Sequence, residues 1–180
     1  RYPQDAARVQ RLAEEAGLEV IRKTVLDERS AGETRTGGVL VIDTVGELRA
    51  LYGVADVAFV GGSLFYRGSN KGGHNLMEPA ILGLPVVFGR FNFSFEDAAR
   101  ALVAARAGYE VRDAAELAQT LRRLLEDREL RMESGRRARQ VIVAGQGATR
   151  KNFELLAPLI DAASLRLPVP NLGPTMPPAA

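Results

Sequence analysis

The segment from Asp56 to Gly89 constrains the fold of this chain more than any other part. Its sequence, DVAFVGGSLFYRGSNKGGHNLMEPAILGLPVVFG, predicts a buried strand, a glycine-rich loop, a short helix capped by Asn75 and a second buried strand. Strands that alternate with helices are typical of βαβ units, which build a parallel sheet. Because ligands of such sheets bind beyond the carboxyl ends of the strands, we expect a ligand near the glycine-rich loop.

The start of the predicted helix favours a nucleotide-sugar ligand. Gly72 and Gly73 expose the backbone just before the helix, whose free N–H groups and dipole attract a phosphate. Glu78 lies in the first turn, where a carboxylate can accept hydrogen bonds from a vicinal diol such as a ribose. His74 has two interpretations: it orients the loop, or it donates a hydrogen bond to phosphate or sugar.

Other turns that follow predicted strands are expected at the same edge of the sheet. Thr44 and Glu47 predict a capping box, and Gly46 between them leaves room for a phosphate at the helix start. The Gly-Gly-Ser turn at 61–63 is either a tight turn that needs positive φ or a place where a ligand approaches the backbone. Neither a GxGxxG dinucleotide fingerprint nor a GxxxxGK[ST] P-loop is present, which excludes both of those motifs. Weaker candidates for ligand contacts are Arg67, Lys71, Asn92 and Ser94.

The same alternation continues along the chain. Helices are predicted over 4–16, 44–52, 75–82, 96–107, 114–126, 130–144 and 148–163, and strands over 18–24, 39–42, 57–60, 86–88 and 109–112. The apolar run at 39–42 is expected to be buried on both faces. We predict an α/β fold with a Rossmann-like, doubly wound parallel sheet over residues 1–165. The proline-rich tail over 166–180 is expected to be extended or disordered.

Composition narrows the classes of function. With 180 residues, 46% hydrophobic and 26% charged, the chain has the size and composition of one soluble domain. A net charge of +2 is too small to argue for nucleic acid. The absence of cysteine and the single histidine exclude disulfides and a multi-histidine metal site. No apolar run is long enough to span a membrane, and the start at Arg1 without an initiator Met indicates a fragment.

Seven arginines crowd residues 122–139 and are interrupted by acidic residues. The favoured interpretation is a water-exposed helix surface with ion pairs. The alternative is a surface that rests near anionic lipid headgroups.

The motifs together resemble a known family. DTVGEL (43–48), DVAFVGGS (56–63), GGHNLMEPAILGLPVVFG (72–89) and FNF (91–93) are similar to the C-terminal half of the Kdo transferases. These glycosyltransferases move 3-deoxy-D-manno-octulosonic acid (Kdo) from CMP-Kdo to lipid A precursors in lipopolysaccharide biosynthesis. The segment at 1–3, Arg-Tyr-Pro, resembles the Arg-His-Pro that opens that half. The resemblance runs in order from residue 1 to about residue 155.

This resemblance implies the donor-binding domain of a GT-B glycosyltransferase. Arg1 would then contact the donor, the backbone at 45–47 would meet the cytidine nucleotide, and Asn75 and Glu78 would meet phosphate and ribose. The full set of expected donor-binding residues is Arg1, Val45, Gly46, Glu47, Gly62, Ser63, Gly73, His74, Asn75 and Glu78. No cofactor, metal or catalytic residue is expected here, because the family's catalytic carboxylate lies in the N-terminal half.

The resemblance also implies partners and a location for the parent enzyme. CMP-Kdo would bind to this half, whereas the N-terminal half would bind the lipid A precursor and the membrane surface. The parent would act at the cytoplasmic face of the inner membrane, and this fragment alone would be soluble and inactive. Three features depart from the family pattern: Tyr2 in place of histidine, Val45 in place of methionine, and a longer connection over 65–71.

Other functions remain open at this stage. The same fold serves GT-B glycosyltransferases with other donors and nucleotide-sugar epimerases. It also suits a nucleotide-binding module without chemistry, or a purely structural domain. Nucleotide preference distinguishes among these alternatives, since fold by itself does not determine function.

Overall fold

The structure is a computed structural model that describes residues 3–26, 37–66, 68, 72–145 and 155–156. The chain divides into two compact units, Arg1–Ile142 and Val143–Ala180. Nearly all of the described residues belong to the first unit. The predicted domain boundary at residue 165 and the predicted tail over 166–180 lie outside the described residues and stay predictions.

Strands and helices alternate along the described chain, as predicted. Five strands, β1 to β5, comprise Val20–Arg22, Val39–Val41, Ala58–Val60, Val86–Gly89 and Gly108–Val111. Six helices, α1 to α6, comprise Ala6–Glu15, Leu48–Tyr52, Met77–Ile81, Glu96–Ala104, Ala114–Glu126 and Arg128–Ala144. Short 3-10 helices comprise Pro3–Asp5, Lys23–Val25 and Phe93–Phe95.

All pairings between the described strands are parallel. β1 pairs with β2, and β3, β4 and β5 form a second sheet in that order. In the second sheet Val86 of β4 lies opposite Ala58 on one side and Gly108 on the other. The predicted parallel α/β architecture is confirmed, with the described strands arranged as two hydrogen-bonded sheets.

Strand β4 is the centre of the core and is buried along its whole length. Its side chains alternate between the two faces of the sheet, as those of any strand do. Phe88 packs with Leu102 of α4 and Ala138 of α6 on one face. Val87 packs with Leu124 of α5 on the other face. Helices therefore cover both faces of β4, which is the doubly wound arrangement expected from the sequence.

Strand β2 differs from the prediction that it would be buried on both faces. Val41 is buried, but the side chain of Leu40 is 48% exposed. Successive side chains of a strand point to opposite faces, and α1 packs against this two-stranded sheet. That prediction is wrong because an apolar run is typical of full burial only where elements cover both faces.

Helix boundaries shift where the backbone adopts positive φ. Helix α2 begins at Leu48 instead of residue 44, because Gly46 has φ +96° and cannot continue a right-handed helix. Helix α4 ends at Ala104, shortly before Arg106 at φ +54°. Helix α5 matches its prediction, and its N-terminus is capped by Asp113, whose carboxylate accepts from the Glu116 N–H at 2.9 Å.

Several arginines of the 122–139 segment form ion pairs, in agreement with the favoured interpretation. On α6, Glu133 contacts Arg136 at 2.7 Å and Arg137 at 2.9 Å. Arg131 contacts Asp56, which precedes β3, at 3.3 Å. In the described parts of the chain, no helix is both long and apolar enough to cross a bilayer.

We expect Gly135→Ala to destabilise the fold. A Cβ at Gly135 would overlap the carbonyl oxygen of Gly83, so α6 could not keep its close approach to the turn before β4. In an exposed helix the same change stabilises by about 1 kcal/mol, whereas overpacking costs about 1–3 kcal/mol. Urea unfolding followed by circular dichroism should show a loss of stability. The control is the exposed Gln140→Ala on the same helix, and a Gly135→Ala variant as stable as that control would contradict the close packing.

We expect Glu133 to contribute to stability in a pH-dependent way. Hydrogen bonds from Arg136 and Arg137 lower the pKa of Glu133 to about 2, against 4.5 for an ordinary glutamate. A lowered pKa in the folded state gives stability that is present above pH 4.5 and is lost as the pH falls to about 2.

Unfolding free energies measured from pH 7 to pH 2 test this expectation. Glu133→Gln should be less stable than the unmodified chain at pH 7, and the difference should shrink between pH 4.5 and about 2. Glu129→Gln is the control, because Glu129 forms no ion pair with a described residue. A difference that does not change with pH would contradict the role of the ion pairs.

Candidate functional site

The loops at the carboxyl ends of β3 and β4 are tied together by their backbones. The Gly73 N–H donates to the Gly62 carbonyl at 2.9 Å, and the Phe91 N–H donates to the Ser63 carbonyl at 2.9 Å. These loops meet because the carboxyl ends of neighbouring parallel strands lie at the same edge of a sheet. These hydrogen bonds join the turn at 61–63, the glycine-rich loop at Gly73 and the segment at Phe91 into one surface at this edge of the sheet. We call this surface the platform.

The glycines of the platform are required by close approach. Gly73 has φ +81°, and a Cβ there would overlap the side-chain oxygen of Asn92. A Cβ at Gly72 would overlap the carbonyl oxygen of Phe91. Gly62 has φ +80°, and a Cβ there would lie 3.1 Å from Nε2 of His74. The imidazole of His74 therefore lies against Gly62, which gives the ring a defined position on the platform.

Ser63 is fully buried and joins the two strands. Its hydroxyl donates to the carbonyl of Val60 at 3.1 Å and accepts from the Gly89 N–H at 2.9 Å. These two bonds occupy the hydroxyl inside the protein. The structure thus gives Ser63 a role in holding the platform, and its expected contact with a donor stays a prediction.

Asn92 has a larger role in the site than its weak sequence signal predicted. The residue is 5% exposed, and its side-chain N–H donates a short hydrogen bond to the carbonyl of Gly89. Its Oδ1 contacts no hydrogen-bond donor among the described residues and faces the Cα of Gly73. Asn92 therefore fills the space between the end of β4 and the glycine-rich loop. In the sequence, the signal for this role was that Asn92 is a polar residue between two phenylalanines, just after a buried strand.

Asn75 and Glu78 form a side-chain pair at the start of α3. Asn75 Oδ1 accepts from the Met77 N–H at 2.9 Å, and its Nδ2 donates to Glu78 Oε1 at 3.0 Å. The prediction that Asn75 caps the helix is wrong, because α3 begins at Met77 with Leu76 as its N-cap, and Asn75 instead makes a local contact just before the helix. In the described part of the chain, Oε2 of Glu78 makes no hydrogen bond, so one carboxylate oxygen remains for a ligand.

Glu47 does not form the predicted capping box. The Thr44 hydroxyl donates to Glu47 Oε1 at 2.5 Å, and Lys23 Nζ contacts Oε2 at 2.8 Å. The hydrogen bonds from Lys23 and Thr44 lower the pKa of the Glu47 carboxyl. The capping prediction is wrong because positive φ at Gly46 moves the helix start to Leu48. Both carboxylate oxygens are engaged, so only the backbone of this turn remains for a ligand.

The other predicted residues of this turn lie at the surface, and one lies outside the described chain. Val45 is 82% exposed, and a Cβ at Gly46 would meet no atom within 4 Å. Neither residue lines the cavity described next. Arg1 falls outside the described residues, so its contact with a donor stays a prediction.

A cavity of about 660 Å³ opens beside the platform. It brings together four of the ten expected donor-binding residues, Gly73, His74, Asn75 and Glu78, and also the weaker candidate Ser94. Its other walls are mainly apolar and comprise Leu48, Tyr52, Phe59, Val60, Gly61 and Phe95. A concave space of this size, with apolar walls and a few convergent polar groups, is typical of a small-molecule site. Among the described residues no group of three or more His, Asp or Glu side chains is placed to hold a metal ion.

Comparison with known proteins reveals two similar transferases that share one name. A 3-deoxy-D-manno-octulosonic acid transferase of Haemophilus influenzae is 36% identical over 124 residues, which cover 68% of this chain and 28% of the relative. A transferase of the same name from Bordetella pertussis is 36% identical over 159 residues, which cover 87% of this chain and 35% of the relative. The chain is a relative of the Kdo transferases. It spans about a third of the length of these two curated relatives.

A solved structure supports the same relationship. The C-terminal CMP-Kdo binding domain of WaaA from Acinetobacter baumannii superposes with a TM-score of 0.66 at 28% identity, covering 79% of this chain and 70% of that domain. The predicted fold, the C-terminal domain of a GT-B glycosyltransferase, is thereby confirmed. A bifunctional glycosyltransferase/methyltransferase of Fusobacterium nucleatum is also similar, at 30% identity over 114 residues, 63% of this chain and 17% of the relative. No protein-family model matches the chain.

Most of the apolar wall of the cavity in this Kdo-transferase relative was not predicted from the sequence. Leu48 and Tyr52 of α2 line the cavity; Leu48 ends the DTVGEL motif, and Tyr52 follows it at helical spacing. Phe59 of β3 and Phe95 complete the wall. Burial and the nearby negative charge of Glu78 raise the pKa of Tyr52. The four-residue spacing of Leu48 and Tyr52 was the signal that placed both on one side of a helix.

We expect Gly73→Ala to cost more stability than Gly46→Ala. Both glycines have positive φ, and forcing alanine into that region costs about 1–2 kcal/mol. Only Gly73 faces a neighbour, the side chain of Asn92, which adds about 1–3 kcal/mol of overpacking. Urea unfolding of the two variants measures the difference. Equal losses would contradict the close packing of the platform.

Proposed function

We propose that this chain is the CMP-Kdo donor-binding domain of a glycosyltransferase. The parent enzyme would transfer Kdo to a lipid A precursor in lipopolysaccharide biosynthesis. The observation that carries the proposal is the Asn75–Glu78 pair at the cavity, in which Oε2 of Glu78 makes no hydrogen bond to any residue that the structure describes. The similarity to a CMP-Kdo binding domain supports the choice of donor.

The chemistry of the cavity matches the parts of a nucleotide sugar. The free oxygen of Glu78 is an acceptor for the hydroxyls of ribose. The imidazole of His74 lines the cavity beside the platform, and an imidazole N–H suits a phosphate oxygen. The apolar wall around Leu48 and Phe59 suits the faces of the base and sugar. The contacts of Arg1 and of the 45–47 backbone with the donor belong to the same proposal.

The reaction of the parent enzyme would be glycosyl transfer with inversion, in which CMP leaves. A hydrogen-bond donor at the cavity, such as the imidazole of His74, would stabilise the negative charge that develops on the leaving phosphate. The catalytic carboxylate, the acceptor site and the surface that contacts the cytoplasmic face of the inner membrane would belong to the other half. We therefore expect no transfer by this chain alone, and turnover comparable to that of a complete enzyme would contradict this division of roles.

A second candidate is the donor domain of a GT-B glycosyltransferase that uses another nucleotide. The similarity to the Fusobacterium nucleatum bifunctional enzyme favours keeping it, because that relative carries a different name. The two candidates share the Glu78–ribose contact and differ in the base. Nucleotide preference therefore separates them.

Calorimetric titration of this chain with CMP, UMP and AMP tests the proposal. We expect saturable binding that prefers CMP. Glu78→Ala should weaken CMP binding about tenfold to a hundredfold, because a hydrogen bond to a charged group contributes about 1.5–3 kcal/mol. Glu129→Ala, on the exposed surface of α6, is the control and should bind CMP normally.

The outcomes separate the alternatives. Tighter binding of UMP than of CMP would support a different glycosyltransferase or an epimerase. Equal CMP affinity of the unmodified chain and Glu78→Ala would contradict the assigned ribose contact. Unchanged stability in the presence of every nucleotide would favour a purely structural domain.

A further inference from the structure

Tyr52 and Glu78 face the same cavity from two neighbouring helices. Tyr52 is half-buried at the end of α2, and Glu78 lies in α3, which packs against α2. The negative charge of Glu78 reaches the phenol of Tyr52, yet no hydrogen bond joins the two side chains. Within the described chain, the Tyr52 hydroxyl makes no hydrogen bond to any residue. The hydroxyl of Tyr52 thus belongs to a half-buried side chain that lines the cavity, where it can donate a hydrogen bond to a ligand.

The two groups differ in what they offer a ligand. The phenol donates one hydrogen bond, while the remaining oxygen of Glu78 accepts only. A ligand hydroxyl accepts and donates, so it satisfies both groups at once. A phosphate would meet the negative charge of Glu78, and an apolar group would leave both side chains unpaired. The part of the cavity that Tyr52 and Glu78 line therefore suits a hydroxyl and disfavours the other two classes.

The residues around Tyr52 and Glu78 keep the phenol protonated and hold the carboxylate in position. Burial, followed by the charge of Glu78, raises the pKa of Tyr52, so the phenol stays protonated and able to donate. Asn75 holds Glu78 through Oε1 and leaves Oε2 available. Leu48 and Phe59 line the same cavity, and both keep part of their surface exposed. A ligand that lacks the hydroxyl would lose its hydrogen bonds to Tyr52 and Glu78, which is the basis for discrimination.

We propose that Tyr52 and Glu78 together bind the ribose diol, so that the site selects ribonucleotides over deoxyribonucleotides. This inference rests on the proposed function, because it assumes that a nucleotide occupies the cavity. It adds Tyr52 as a residue that determines specificity for the sugar of the nucleotide. The alternative is that Tyr52 serves only to pack α2 against α3.

Titrations with CMP, 2′-deoxy-CMP and 3′-deoxy-CMP test the inference on the unmodified chain. We expect CMP to bind about tenfold or more tightly than at least one of the deoxy analogues. The analogue that loses more affinity identifies the hydroxyl that lies between Tyr52 and Glu78. Equal affinity for all three nucleotides would overturn the inference without any variant being needed.

Tyr52→Phe then assigns the discrimination to the hydroxyl of Tyr52. It should weaken CMP binding about fivefold to tenfold and leave binding of the discriminated deoxy analogue unchanged, which lowers the ratio between them. The matched control is Tyr66→Phe, because Tyr66 packs on Phe91 at 5.6 Å between ring centroids and does not line the cavity. Thermal unfolding of both variants checks that the fold is retained.

The possible failures are distinguishable. A Tyr52→Phe variant that keeps the ratio of the unmodified chain would overturn the inference and leave the proposed function standing. If the unmodified chain binds no CMP, the proposed function fails, and the inference fails with it. A lowered ratio in the Tyr66→Phe control would also overturn the assignment to Tyr52.

Discussion

The backbone of Gly73 donates to the carbonyl of Gly62, and the backbone of Phe91 donates to that of Ser63, across the carboxyl ends of two parallel strands. These bonds bring the segments so close together that a Cβ at Gly73 would overlap the side chain of Asn92. The buried side chain of Asn92 fills the space that remains beside this glycine. The polar groups of the cavity depend on this arrangement, because the ring of His74 lies against Gly62.

The platform would let a small domain hold the charged and flexible ligand that we propose. Side chains that are already fixed lose little conformational entropy when a ligand binds. Asn75 fixes Glu78, and Gly62 supports the ring of His74. The apolar wall comes from α2, whose late start follows from positive φ at Gly46. Local backbone geometry thus decides which face of α2 reaches the cavity, and through it the position of Tyr52.

Sequence patterns predicted the order of the elements well and their ends less well. Helix α5 matched because Asp113 is a local cap whose contact lies within three residues. The starts of α2 and α3 did not match, because local capping signals cannot show how a neighbouring glycine bends the chain. Of the candidate site, four predicted residues meet in one cavity. Ser63 and Glu47 use their side chains inside the protein instead.

The sequence by itself determined the parallel α/β class, the glycine-rich loop and the acidic residue that follows it, because these depend on periodicity and on motifs read within a few residues. Only the tertiary structure decided which side chains share the cavity. It brought Tyr52 from α2 to Glu78 of α3, and it buried Asn92 against Gly73. Such pairs lie about twenty residues or more apart in the sequence, and they meet because strand pairing and helix packing, which act over long separations, fix the positions of the elements.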